Sequence, residues 1–175
     1  MRYKPFVYLL IIASLIACSN QKASTDKIKE LETKLYAKSD AAFSKETANE
    51  LIQEYVAFAD ANKKDSLSPA FLYNAAQIAM GMNLSKQAIE IFKRVYEEYP
   101  DYDKASTCLF LQGFVYETQE NDNAKAQKMY QEFISKYPNH ILIDDAKFSL
   151  ENLDKSDEEI IREFEQRIAN NKDSI

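Results

Sequence analysis

A set of landmarks recurs along this 175-residue chain at nearly constant spacing, and that recurrence restricts the fold more than any other feature. Ala76 falls on Gly113 at an offset of 37 residues, while Ala88 falls on Ala126, Phe92 on Tyr130 and Tyr99-Pro100 on Tyr137-Pro138 at 38. Further back the match fades: Ala48 stands 40 residues before Ala88, and Tyr55 to Lys64 takes the place of the Tyr-Pro endings. Two clear helix pairs and one degenerate pair follow. The residue types have a physical reason to recur. Small residues let two helix axes approach within about 8 to 10 Å, and aromatics fill the space beside them. A proline after the tyrosine ends the second helix, because its ring and missing N–H break the ladder.

With 2 Gly and 4 Pro and no sustained β-branched alternation, the chain reads as all α. Ile28, Leu31 and Leu35 mark a first amphipathic helix, and Leu51, Ile52, Tyr55, Val56 and Phe58 a second. Ser68-Pro69 reads as an N-cap followed by proline in the first turn, and Glu117 to Asn123 as a long turn. Asp145 to Leu153 reads as a further first-type helix. Ser156-Asp157-Glu158-Glu159 reads as a capping box opening a terminal capping helix that runs to about Asn170 and turns a polar outer face to solvent. The expected layout is a signal segment over 1–17, a flexible tether over 18–26, a helical domain over 27–170 and a tail over 171–175.

These landmarks resemble the tetratricopeptide repeat, a helix-turn-helix unit of about 34 residues. The resemblance spans residues 27 to 150 and is strongest from 69 to 138. It implies an α-solenoid of about three such helix pairs with the C-terminal capping helix. In that family the first helix of each pair lines a groove that receives other proteins. The resemblance therefore nominates Tyr73, Asn74, Gln77 and Met80 from one repeat and Phe110, Phe114 and Glu117 from the next, with Phe110 and Phe114 equally suited to the core between repeats. Aromatic and methionine side chains with a few amides suit a helix or extended peptide. Asn74 has no basic neighbour in its helix, so the family's clamp for C-terminal carboxylates is not expected.

The N-terminus carries a second message. Arg2 and Lys4 precede the apolar run Phe6 to Ile16, which is too short to span a bilayer, and the run ends in Leu15-Ile16-Ala17-Cys18. That tetrad resembles the bacterial lipobox, which makes Cys18 the lipidated first residue of the mature chain, held on a membrane by its acyl chains. Ser19 stands where an inner-membrane retention signal would have Asp, which favours the outer membrane, on the periplasmic side. Among similar proteins, the small repeat lipoproteins that accompany the barrel insertase in outer-membrane assembly show like Tyr-Pro helix endings.

Loss of Arg2 and Lys4 leaves 20 basic against 28 acidic residues, which disfavours nucleic acid as a partner. Cys108, the other cysteine, lies in an apolar run and offers no disulfide. His140 alone reads as a solvated loop residue, and the acid pairs Glu97-Glu98, Asp144-Asp145 and Glu158-Glu159 read as helix-end charges. No metal, cofactor or enzyme motif is recognisable. The expected function is an envelope adaptor, monomeric by itself, that binds another protein. The alternatives are a self-associating spacer built on Ile28 to Leu35 and the groove, or a coordinator of the Tol-Pal type.

Overall fold

Three helices of this chain end in the same turn, and that turn fixes the register of the repeats. The computed structural model describes residue 22 and residues 24–37 and 44–172. Its helices are α1 (24–36), α2 (Lys45–Ala61), α3 (Ser68–Gly81), α4 (Ser85–Glu98), α5 (Ala105–Thr118), α6 (Asn123–Lys136), α7 (Ile143–Asn152) and α8 (Asp157–Lys172). Among the described residues there is no strand, and the fold is the expected all-α repeat class. Cys18, the signal segment and most of the tether lie outside the described residues. Helix α1 takes in residues 24–26, so the helical part begins three residues before the expected boundary.

Asn62, Tyr99 and Tyr137 close α2, α4 and α6 with φ/ψ of −130°/49°, −132°/59° and −129°/56°. Each donates its N–H to the carbonyl four residues back (Phe58 2.9 Å, Val95 3.1 Å, Phe133 2.9 Å). Each then accepts from the N–H three residues on (Asp65 2.8 Å, Tyr102 3.0 Å, His140 3.1 Å). Pro100 and Pro138 stop two of these helices. Without a proline, α2 uses the Asn62 side chain, whose Nδ2 also donates to Phe58 O at 2.8 Å. These ends lie 37 and 38 residues apart, so α2 precedes α4 by 37 rather than 40 residues, and Leu51 takes the place of Ala88. Within each clear pair the chain turns through a left-handed asparagine, Asn83 (φ 61°) and Asn121 (φ 51°), a conformation asparagine tolerates better than most residues. The turn expected over Glu117 to Asn123 shrinks to 119–122, because Glu117 and Thr118 stay helical.

Two local expectations need correction. Ser68 is not an N-cap: it is the first residue of α3, fully buried, and its hydroxyl donates to Asn62 O at 2.7 Å. Asp65 organises that entry instead, its Oδ1 accepting from Leu67 N at 2.8 Å. His140 is not simply solvated. It is half-buried, its ring meets Phe133 edge-on at 5.1 Å, and its Nδ1 accepts from Leu142 N at 3.1 Å, the part Asp65 plays in the first turn. The capping box before α8 forms as expected, with Ser156 N to Glu159 Oε2 at 2.9 Å and Glu159 N to Ser156 Oγ at 3.3 Å.

The chain divides into two units, one ending at Tyr102 and one beginning at Asp103. In the first, α2 packs on α3 and α3 on α4. Phe71 meets Tyr55 and Phe58 at ring distances of 5.0 and 4.9 Å, contacts that contribute about 0.5–1.5 kcal/mol each beyond their buried area. Helix α1 is tied to α2 by Lys27 Nζ to Glu54 Oε1 at 2.6 Å, and Ile28 and Leu31 are buried. In the second, α5 packs on α6 and α6 on α7. Gly113 shows why a small residue recurs at that position: a Cβ there would lie 2.8 Å from Tyr130 Cε1 and 3.2 Å from Met129 Cβ.

Candidate protein-interaction groove

The nominated residues fall into both units, and the helices give them different work. In the first unit Tyr73 is only 8% exposed and packs edge-on to Phe92 at 6.2 Å and Tyr102 at 6.4 Å. Its hydroxyl accepts from Gln77 Nε2 at 3.1 Å, one turn on, where Gln77 is exposed. Asn74 and Met80 are half-buried. Near Asn74, the Tyr55 hydroxyl donates to Glu32 Oε1 at 2.6 Å. Burial, then the Glu32 carboxylate, raise the Tyr55 phenol far above its usual range.

The second unit repeats this arrangement. Tyr130 OH donates to Glu117 Oε2 at 2.6 Å, with Ser149 nearby, and burial followed by Glu117 again raises the phenol. By the repeat register, Asn74 corresponds to Leu111 and Ser149, and Met80 to Glu117. Where the aromatic of the second helix is Tyr130, the matched positions are Glu117 and Ser149; where it is Phe92, they are Met80 and Leu111. Buried hydroxyls need partners and phenyl rings do not, so these sets change together. Glu117 therefore partners a buried hydroxyl.

Phe110 and Phe114 are brought together on α5. Phe110, 8% exposed, packs against Tyr130 at 5.6 Å and Phe133 at 5.7 Å. Phe114 is one turn further and 38% exposed. Between α5 and α7 these rings line a depression of about 330 Å³ with Leu111, Asp145, Phe148 and Ser149. Its floor is apolar, and Asp145 gives its rim a negative charge. A depression of this kind takes one or two apolar side chains from an extended or helical segment.

Phe148, 57% exposed, is absent from the sequence-based candidates. The signal was present, since Tyr73, Phe110 and Phe148 occupy one repeat position, 37 and then 38 residues apart. The register had to be carried past Pro138 to find it.

The tetratricopeptide-repeat family model matches residues 70–102 and 107–140. These two segments are similar to tetratricopeptide repeats. The first holds α3 and α4, and the second α5 and α6, each with its closing Tyr-Pro. A comparison with curated proteins gives no match. Such repeats generally mediate binding to other proteins or peptides. Among the described residues, no group of three or more His, Cys, Asp or Glu side chains could hold a metal ion, and no helix is long and apolar enough to cross a membrane.

Proposed function

We propose that this protein is a lipid-anchored adaptor on the periplasmic side of the cell envelope, held by Cys18, in the outer membrane by preference, where its repeats bind a segment of another envelope protein. The observation that carries the reading is the apolar depression of about 330 Å³ between α5 and α7, lined by Phe110 and Phe114 on the first helix of the second matched segment and by Phe148 on α7. The anchor is supported by the charged start, the short apolar run and the Leu15 to Cys18 tetrad. A role in outer-membrane barrel assembly is supported by the resemblance of the Tyr-Pro helix endings. The Tol-Pal-type coordinator needs an exposed stripe at Ile28 to Leu35, and the spacer uses that stripe together with the groove. That stripe loses support, because Ile28 and Leu31 are 1% and 3% exposed.

Two experiments test the reading. A Cys18→Ala chain should fail to incorporate radiolabelled palmitate and should leave the membrane fraction; labelling of that variant would contradict the anchor. Gentle crosslinking of the full-length protein in native membranes, followed by mass spectrometry, should recover an envelope protein. A Phe114→Glu variant, shown by circular dichroism to keep its fold, should lose that protein. Recovery of the same protein with the variant would contradict the groove.

A further inference from the structure

Helix α8 was expected to cap the repeats with a polar outer face, yet it turns Ile161, Phe164 and Ile168 outward. Phe148 sits between two depressions of about 330 Å³ each, one towards α5 and one towards α8. Their charges differ. On the α8 side the charged lining residues are Glu151, Glu163 and Arg167, and each is in an ion pair, Arg167 to Glu151 at 3.5 Å and Glu163 to Lys155 at 2.7 Å. That side is balanced and selects no occupant by charge. On the α5 side Asp145 is the one charged lining residue. It is exposed, and it makes no ion pair or hydrogen bond with any described residue, whereas its neighbour Asp144 has Lys147 at 4.0 Å. A helix dipole favours a carboxylate in any first turn, but the first turns of α3 and α5 hold no acidic residue. At the positions matched to Asp145 they carry Ala70 and Thr107. The carboxylate thus occurs in the helix whose repeat-position aromatic, Phe148, is left open.

We infer that the segment held between α5 and α7 is cationic beside its apolar anchor. An aromatic or aliphatic side chain of the partner enters among Phe110, Phe114 and Phe148, and a Lys or Arg within about one helical turn of it pairs with Asp145. Any occupant that closes the depression strips water from Asp145. An uncharged segment would leave that carboxylate without a partner, and an acidic one would be repelled by it. A cation offsets the lost hydration with a charge-assisted hydrogen bond, so the depression discriminates by charge as well as by shape. This inference rests on the reading of the groove as the binding site and names the chemistry of what it binds.

Selection of a random peptide library displayed on phage, against the full-length protein in mild detergent, tests it. The recovered peptides are expected to carry Phe, Leu or Ile with a Lys or Arg within about one turn. In fluorescence anisotropy, replacing that base by Glu in the tightest peptide should weaken binding about three- to fivefold, and added salt should weaken the parent peptide. Selection on Asp145→Lys should return Asp or Glu in place of the base. Phe114→Glu, with its fold checked by circular dichroism, is the control for the groove and should lose the selected peptide. A peptide bound equally by Phe114→Glu would move the binding site elsewhere and remove both the groove reading and the inference. Loss of binding with Phe114→Glu, but the same sequences from Asp145→Lys or no basic preference with the wild type, would overturn the inference alone. Peptides that reproduce a stretch of this chain would give the groove to a second copy and overturn a foreign cationic segment. Asp145 is exposed and unpartnered among the described residues, so loss of the fold does not mimic the charge reversal.

Discussion

Phe110 and Phe148 stand 38 residues apart at the same place in successive helix pairs, and the structure gives them opposite fates. Phe110 is covered by Tyr130 and Phe133 of α6, whereas Phe148, on α7 beside α8, keeps 57% of its surface in solvent. The difference comes from the second helix of each pair. Helix α6 offers Ala126, Tyr130 and Phe133 fully buried at i, i+4 and i+7. Helix α8 turns Ile161, Phe164 and Ile168 outward. One sequence period thus yields core in the first case and an exposed apolar surface in the second, and it is this surface that we propose binds a partner.

The sharpest way to press that comparison is truncation. Phe133→Ala should cost about 3–5 kcal/mol of stability, and Phe110→Ala a similar amount, in denaturant titrations. Phe148→Ala should change stability by about 0.5 kcal/mol or less, since it uncovers nothing already packed. An equal loss at Phe110 and Phe148 would show that α8 covers its pair as α6 does.

The glycines offer a smaller contrast. Gly113→Ala should destabilise by about 1–3 kcal/mol, because the added methyl meets the Tyr130 ring and the Met129 Cβ. Gly81→Ala, with nothing within 4 Å of the new Cβ, should be neutral or stabilise by up to about 1 kcal/mol through helix propensity and lost chain freedom. Melting curves of the two variants on opposite sides of the wild type are the expected result.

Smaller still is the hydroxyl network. Tyr130→Phe should cost about 1–2 kcal/mol by leaving the Glu117 carboxylate without its donor. Adding Glu117→Met should recover most of it, because Met80 and Phe92 show this pairing at the matched positions. Both Tyr55 and Tyr130 hold their phenolic protons more tightly when folded. Above about pH 10 the unfolded chain releases protons that the fold retains, so stability falls as pH rises. Burial pushes the Cys108 thiol up to about 12, which adds a slope of the same sign from about pH 8.5. In Tyr55→Phe/Tyr130→Phe the fall above pH 10 should be shallower; an unchanged slope would place the alkaline sensitivity elsewhere.

The repeat was legible because its landmarks are local: a small residue, an aromatic four positions on, and a Tyr-Pro stop. The α1–α2 pair was less so, since Asn62 does with a side-chain hydrogen bond what Pro100 and Pro138 do by steric exclusion. Ser68 misled for a related reason. Its type fits an N-cap, but only the fold reveals that its hydroxyl faces the Asn62 carbonyl. Of the candidate site, Phe110 and Phe114 were readable as first-helix aromatics. Their neighbour Phe148 was not, because exposure depends on the helix that follows and not on the residue itself. The bond from Tyr130 to Glu117 was not readable, because the two residues lie 13 positions apart on different helices.

The most direct test of the account places a photo-crosslinking amino acid at Phe114 or Phe148 in the second unit, and at Tyr36 or Leu67, the exposed apolar residues of the first. In intact membranes, the first two positions should yield a discrete adduct with another envelope protein, and the latter two should not. Equal adducts from all four positions, or none from Phe114 and Phe148, would contradict the claim that the uncovered surface of the second unit is where this protein binds.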